Sequence, residues 1–258
     1  MDSNIILRAR NLTKKFGTLI AVNDVSMEVK KGAFAILFGP NGAGKTTLIN
    51  LITGYLKKDR GEVWFDGKDI TKLSAAETFR LGLARSFQIP KIFPRLTVLE
   101  NILMATKNLG ESFIKAPIKF SWKNVEKEHV ERAFKVLETI GLDDQWDKLA
   151  GELSGGDIKL LEVGRALMSN AKMLLMDEPI AGVNPAFSHV ILERLRKIKE
   201  ARDLTILIVE HRLDIALKYV DYAYVMVDGR IISEGGPNEV IKAPEVVESY
   251  LGEKYYLG

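Results

Sequence analysis

Gly39-Pro40-Asn41-Gly42-Ala43-Gly44-Lys45-Thr46-Thr47 lies between a continuous apolar run, residues 33–38, and a helical pattern over 47–52. Six apolar residues in succession fit a strand buried on both faces, not one with a wet side. A strand that breaks into a glycine-rich turn and then enters a helix presents inward-facing backbone amides at the positive end of that helix, which suits phosphate oxygens. An ordinary glycine-rich turn can share the composition, but the strand before and the helix after favour the phosphate loop. In such a loop the Lys45 ammonium contacts the β- and γ-phosphates of a nucleotide and the Thr46 hydroxyl is offered to Mg²⁺.

Upstream, Val25-Ser26-Met27-Glu28-Val29 alternates apolar and polar, so an antiparallel edge is expected to feed the buried strand. Downstream, compact apolar runs at 172–176, 205–209 and 222–227 are separated by helical patterns at 185–201 and 212–219, which predicts a parallel α/β sheet. Between about 98 and 167 the pattern changes to amphipathic helices, at 98–105, 125–140 and 157–168, with no convincing strand. The stretch 108–123 reads as a loop or short irregular helix. We therefore expect one domain over 1–258: an α/β core with a β subdomain from 1–88 and 169–258, and a helical lobe inserted at 89–168.

Length and composition agree with a folded globular chain: 258 residues, 47% hydrophobic and 28% charged. The 37 basic and 34 acidic residues leave a net charge of +3 that is spread along the chain, so nucleic acid is not an expected partner. With no cysteine there is no disulfide framework, Cys-ligated zinc or thiol nucleophile. No apolar stretch approaches the roughly 20 residues needed to cross a bilayer, and residues 1–4 do not resemble the start of a secretory signal.

A second chemical element follows the run Met173-Leu174-Leu175-Met176, which ends in Asp177-Glu178-Pro179. Two carboxylates at the C-terminal edge of a buried strand stand where open α/β sheets bind ligands. Asp177 is the candidate for Mg²⁺, through water, and Glu178 the candidate general base that polarises the attacking water. Alone, the same residues could form a solvated turn; the phosphate loop tips the reading towards chemistry.

Leu153-Ser154-Gly155-Gly156-Asp157, opening a helix that runs into Gly164-Arg165-Ala166-Leu167, identifies the system. Here the chain resembles the ABC ATPase family, whose signature is Leu-Ser-Gly-Gly-Gln, with Asp157 replacing the fifth residue. The resemblance implies a P-loop NTPase fold: an ABC ATPase α/β core with a parallel sheet, an antiparallel β subdomain and an inserted α-helical lobe. It implies a second phosphate site at Ser154, Gly155 and Gly156, where the Ser154 hydroxyl and the Gly156 amide meet the γ-phosphate held by another subunit, so that two identical or homologous chains sandwich two ATP head to tail. Asp157 keeps acceptor oxygens, loses the amide donor and adds a charge near nucleotide.

Other positions match the same family. Gln88, in Arg85-Ser86-Phe87-Gln88, corresponds to the glutamine that reaches Mg²⁺ or the attacking water and links nucleotide to the membrane partner. His211 corresponds to the switch histidine at the γ-phosphate. Phe16 stands where an aromatic stacks on adenine, with a core phenylalanine as the rival reading. Gly182-Val183-Asn184-Pro185 occupies a dimer-contact loop in which many members carry Asp at the position of Asn184. The expected ligands are ATP and Mg²⁺, and the expected partners are transmembrane permease subunits and a second ATPase subunit. The expected location is cytoplasmic, peripheral on the inner face of the cell membrane.

Within the family, Arg-Ser-Phe-Gln at 85–88, Ala-Gly-Val-Asn-Pro at 181–185, Val-Glu-His at 209–211 and Tyr250-Leu251-Gly252-Glu253 resemble ATP-binding subunits of branched-chain amino-acid transporters. The rival is the similar ATPase that extracts lipopolysaccharide, which usually has Asp at position 184. Nontransport ABC ATPases are a further alternative: translation factors normally join two such domains in one chain, and chromosome or repair proteins split theirs with a long coiled coil, for which the 107 positions from Thr47 to Ser154 are too few. An ATP sensor without turnover is disfavoured by Lys45, Glu178 and His211 together. Beyond Gln88, residues 88–100 are expected to receive a short helix of the membrane subunit, with Ile92 and Phe93 facing it and Leu96 and Val98 packing inward.

Overall fold

The computed structural model describes residues 4–86, 92–106 and 122–251. Two sheets form its frame. The first has the order β2-β1-β4-β5 and is antiparallel: β1 (Ile5–Phe16), β2 (Leu19–Lys30), β4 (Arg60–Phe65) and β5 (Lys68–Asp69). The alternation at 25–29 appears as expected in β2, where Val25, Met27 and Val29 are buried and Ser26 and Glu28 are exposed. Strand β1 escaped the sequence reading because register shifts between Ala9 and Leu12 and on to Lys14 and Lys15 break its period of two.

The second sheet, of order β10-β9-β3-β8-β7-β6, contains β3 (Phe34–Phe38), β6 (Leu83–Arg85), β7 (Met173–Asp177), β8 (Thr205–Val209), β9 (Tyr222–Val227) and β10 (Arg230–Gly235). Five strands run parallel and β10 turns back antiparallel along β9. Every residue of β3, β7 and β8 is buried, and the pleat sends alternate side chains into different cores. Phe34, Ile36, Leu174, Met176, Ile206 and Ile208 join the core under the helical region. Ala35, Leu37, Leu175, Leu207 and Val209 join the core shared with the antiparallel sheet. Each fully buried Leu or Ile contributes about 1.5–3 kcal/mol, so both layers are held onto the same sheet.

Helix α1 (Lys45–Ile52) follows β3 across the phosphate loop, and α2 (Ala75–Arg80) precedes β6. Helices α3 (Val98–Leu103), α4 (Trp122–Ile140) and α5 (Gly155–Met168) pack on one another, and α6 (Pro185–Arg202) follows β7. Their starts have local causes. Thr97 and Glu100 bond reciprocally at α3, Ser154 accepts the Asp157 amide at α5, and Asn184 caps α6 with Pro185 in its first turn. The helical pattern at 212–219 shortens to α7 (Leu213–Ala216), and the 108–121 part of the expected loop lies outside the described residues. No helix among the described residues is long and apolar enough to cross a membrane.

Candidate nucleotide site

The phosphate loop leaves the C-terminal edge of β3 with two glycines that nothing else can replace. A Cβ on Gly39 would lie 1.9 Å from the Met226 carbonyl oxygen, and one on Gly44 would lie 2.1 Å from that of Ala21, both at positive φ. Gly44 caps α1 without a side-chain hydrogen bond, and there is no acidic residue in the first turn. The helix therefore begins with amide donors open to an anion. Lys45 folds back over the loop, its Nζ donating to the carbonyls of Gly39 (2.9 Å) and Pro40 (2.8 Å). Burial pulls its pKa down, while the carboxylates of Glu178 and Asp177 push it back up, so lysine and carboxylates share one field.

Those carboxylates come from β7, which pairs Asp177 with Val209 of β8. Asp177 is 2% exposed; burial pushes its pKa up, as does Glu178, and the Arg85 guanidinium with a hydrogen-bonding contact from Thr46 opposes the rise. Arg85 Nη2 stands 3.5 Å from Asp177 Oδ2, Nη1 bonds Asn50 Oδ1, and the guanidinium carbon lies 5.5 Å from the centre of the Tyr55 ring. Asp177 Oδ1 is buried with no hydrogen-bond partner among the described residues. A bare carboxylate oxygen beside a threonine hydroxyl is a hard-oxygen donor set that fits Mg²⁺, which takes one or two carboxylates and completes its shell with water and phosphate. No cluster of three His, Cys, Asp or Glu that could hold a metal ion exists among the described residues.

Glu178 is held with φ at +52°, in the left-handed region that side-chain-bearing residues seldom adopt, and its N–H donates to Val209 O at 2.9 Å. This turn aims its carboxylate sideways, to a position 3.1 Å from His211 Nε2. Residues 33 positions apart in sequence thus meet because β7 and β8 end side by side. Glu210, which the sequence reading passed over, is 2% exposed and accepts from the amides of Ile180 (2.9 Å) and His211 (3.2 Å). Its type, an acid flanked by the end of a buried strand and a histidine, was the only available signal.

The remaining candidates fall elsewhere. Phe16, at the end of β1, is 48% exposed, which removes the core-phenylalanine alternative; Lys14 Nζ lies 5.6 Å from its ring centre. Ser154 caps α5 and its hydroxyl donates to Asp157 Oδ2 at 2.7 Å, so Asp157 takes part in the cap. Gly155 faces open space, whereas a Cβ on Gly156 would lie 2.1 Å from Cε1 of Phe187. Among the described residues, Ser154–Gly156 make no hydrogen bond with residues 39–47. Gln88 lies outside the described residues.

Of the segment expected to meet a partner, Phe93 is 43% exposed, but Ile92 is half-buried and packs on the helical core, so its expected exposure is corrected. Val98 is fully buried and Leu96 half-buried. Asn101, fully buried, accepts from the Phe93 amide (2.9 Å) and donates to the carbonyls of Phe93 (3.0 Å) and Thr97 (2.9 Å), which pins the segment to α3.

A phosphate loop at the end of one central strand, an aspartate–glutamate pair at the end of another and a histidine at the end of the strand between them define a P-loop ATPase of the cassette type. The chain belongs to the ABC transporter family, whose profile matches residues 22–181. It is 50% identical to the probable branched-chain amino acid transport ATP-binding protein LivG of Methanocaldococcus jannaschii, over 98% of this chain and 99% of that protein. It is also 50% identical to the probable branched-chain amino acid transport ATP-binding protein LivG of Archaeoglobus fulgidus, over 96% and 95% respectively. Among solved structures it is similar to the ADP conformation of an ATP-binding cassette of an ABC transporter, at 48% identity and a TM-score of 0.83, covering 96% of this chain and 99% of that one.

Proposed function

We propose that the chain, as one ABC ATPase domain spanning 1–258, binds MgATP and hydrolyses it to drive a membrane transporter that imports branched-chain amino acids. The observation that carries the catalytic part is the Glu178–His211 contact of 3.1 Å beside the Lys45–Asp177 field. Loop amides and Lys45 bind the β- and γ-phosphates. Asp177 and Thr46, with Gln88, would hold Mg²⁺, which would neutralise charge on the phosphates. Glu178 takes a proton from the attacking water at its carboxylate, and His211 holds that carboxylate and the water in line with the γ-phosphate. Phe16 stacks on adenine.

In this reading the Ser154–Gly156 turn serves a nucleotide held by a second copy or homologue, as the resemblance of Leu153–Asp157 to the family signature implies. The cargo rests on the names of relatives half identical over nearly their full length. The permease subunits dock on the lobe near Phe93 and place the protein at the inner face of the cell membrane.

The test is Glu178→Gln. It should bind ATP as wild type does and lose at least about a hundredfold in multiple-turnover phosphate release, the lower bound for a positioned base. Turnover within twofold of wild type would remove Glu178 from that role. For the cargo, ATPase activity in vesicles with the permeases and their binding protein should rise with leucine, isoleucine or valine; stimulation by unrelated solutes alone would overturn it.

A further inference from the structure

Glu210 closes a circuit around the catalytic pair. Its two oxygens serve two different segments: Oε1 accepts from the Ile180 amide at 2.9 Å, and Oε2 from the His211 amide at 3.2 Å, with the Arg212 amide as a further donor. Ile180 lies two residues after Glu178, whose Oε1 is 3.1 Å from His211 Nε2. The chain of contacts therefore runs from Glu178 through the turn to Ile180, across Glu210 to the His211 backbone, and back from the imidazole to Glu178.

These amides stand past the last rungs of the sheet. The Glu178 N–H is already taken by Val209 O and the Glu210 N–H by Leu37 O, so the turns at Ile180 and His211 have no strand to bond to and depend on the Glu210 side chain. We infer that Glu210 is a positioning residue for ATP hydrolysis, setting the separation and orientation of Glu178 and His211 by holding the backbones of both turns. This rests on the reading of Glu178 as base and His211 as its partner.

The chemistry of the site explains why a carboxylate stands there. Both oxygens face N–H donors, which demands an acceptor at each position; a glutamine would turn an NH₂ group against one of them. Burial pushes Glu210 up to about 7 and the neighbouring Glu178 charge adds to the rise, while the backbone donors pull it down. A group so poorly solvated is retained for its two-sided grip; an apolar side chain would fill the space but leave two amides unpaired. Glu178, held at a φ of +52°, is where released strain would appear first.

The experiment compares Glu210→Gln, Glu210→Asp and Glu178→Gln in the full chain by steady-state ATPase kinetics and thermal unfolding. Glu210→Gln should lower kcat by about ten- to a hundredfold, the loss expected from misplacing a general base, with KM for ATP within twofold of wild type. Glu210→Asp keeps both acceptors with a shorter reach and should recover part of that loss. An unchanged kcat in Glu210→Gln, or a kcat that falls only in step with folded fraction and KM, would overturn the inference. Should Glu210→Gln fail to fold, the same kcat-against-KM split in Glu210→Asp decides. Glu178→Gln inactive beside an active Glu210→Gln sinks the positioning role alone; an active Glu178→Gln sinks the base reading beneath it.

Discussion

Replacing Arg85 with methionine isolates the electrostatics of Asp177, the aspartate proposed to hold the metal. The Asp177 side chain is 2% exposed and that of Arg85 7%, so the substitution strips a buried carboxylate of its facing cation while keeping most of the apolar volume. Breaking a buried pair costs about 3–5 kcal/mol. The 3.5 Å separation, and the share of the guanidinium given to Asn50, place this pair at the lower end, about 3 kcal/mol. For a chain of this size that is a fall of about 6–12 °C in Tm. The sign with pH follows from Asp177, already raised by burial and raised further without Arg85. A carboxyl with a raised pKa is fully stable in acid, below its unfolded value, and loses stability as pH rises through the folded one. The mutant's deficit should thus be small in acid and grow towards neutrality. Saturating MgADP, which on the proposed reading brings a cation to Asp177, should rescue the mutant by more degrees than it stabilises wild type. Thermal unfolding across pH, with and without MgADP, reads all three. A midpoint within 2 °C of wild type at neutral pH, or a deficit independent of pH, would refute the reasoning.

The other substitutions separate roles that the sequence presents together. Gly156→Ala should destabilise by about 1–3 kcal/mol in chemical denaturation, because its Cβ would overlap the Phe187 ring, while Gly155→Ala, facing open space, should be neutral within about 0.5 kcal/mol. In a Glu178→Gln background, Asp157→Asn should halve or better the ATP concentration needed to form dimers in sedimentation: an exposed like charge of about 0.5–1 kcal/mol corresponds to a two- to fivefold shift. Phe93→Asp should fold, since Arg165, whose guanidinium carbon lies 5.2 Å from the Phe93 ring centre, can pair with the new carboxylate. It should retain ATP affinity and fail to copurify with the membrane subunits.

What was legible in the sequence was what local periodicity and glycine chemistry encode. Strand β3 reads as buried because all five of its residues are apolar, and β8 reads the same way with only Thr205 departing. The phosphate loop reads from glycines whose necessity the structure traces to the Met226 and Ala21 carbonyls. Strand β6 did not read, because three residues ending in Arg85 are too few to show a period; β7 recruits them as a parallel neighbour. The exposure of Ile92 was misjudged for a related reason. Pro94 is a poor fit to a continuous helix, but whether an irregular segment lies on a core or beside it depends on α3, and there Asn101 ties the chain down.

The site follows the same division. Each candidate catalytic residue could be proposed from its neighbours in sequence, but the distances that bring the candidates together arise between strand ends. Asp177 sits opposite Val209, so Glu178 and the pair Glu210 and His211 are the first residues free to leave the sheet on adjoining strands. One carboxylate turns sideways through a left-handed backbone to meet the histidine, and the other turns inward to hold the amides of both turns. A shift of either strand by one residue would flip these side chains to the opposite face. The register between β7 and β8, fixed by the alternation of Met173, Leu175, Leu207 and Val209 into one core and Leu174, Met176, Ile206 and Ile208 into the other, is therefore also what sets the geometry of the candidate site. Core packing far from nucleotide should constrain hydrolysis for that reason.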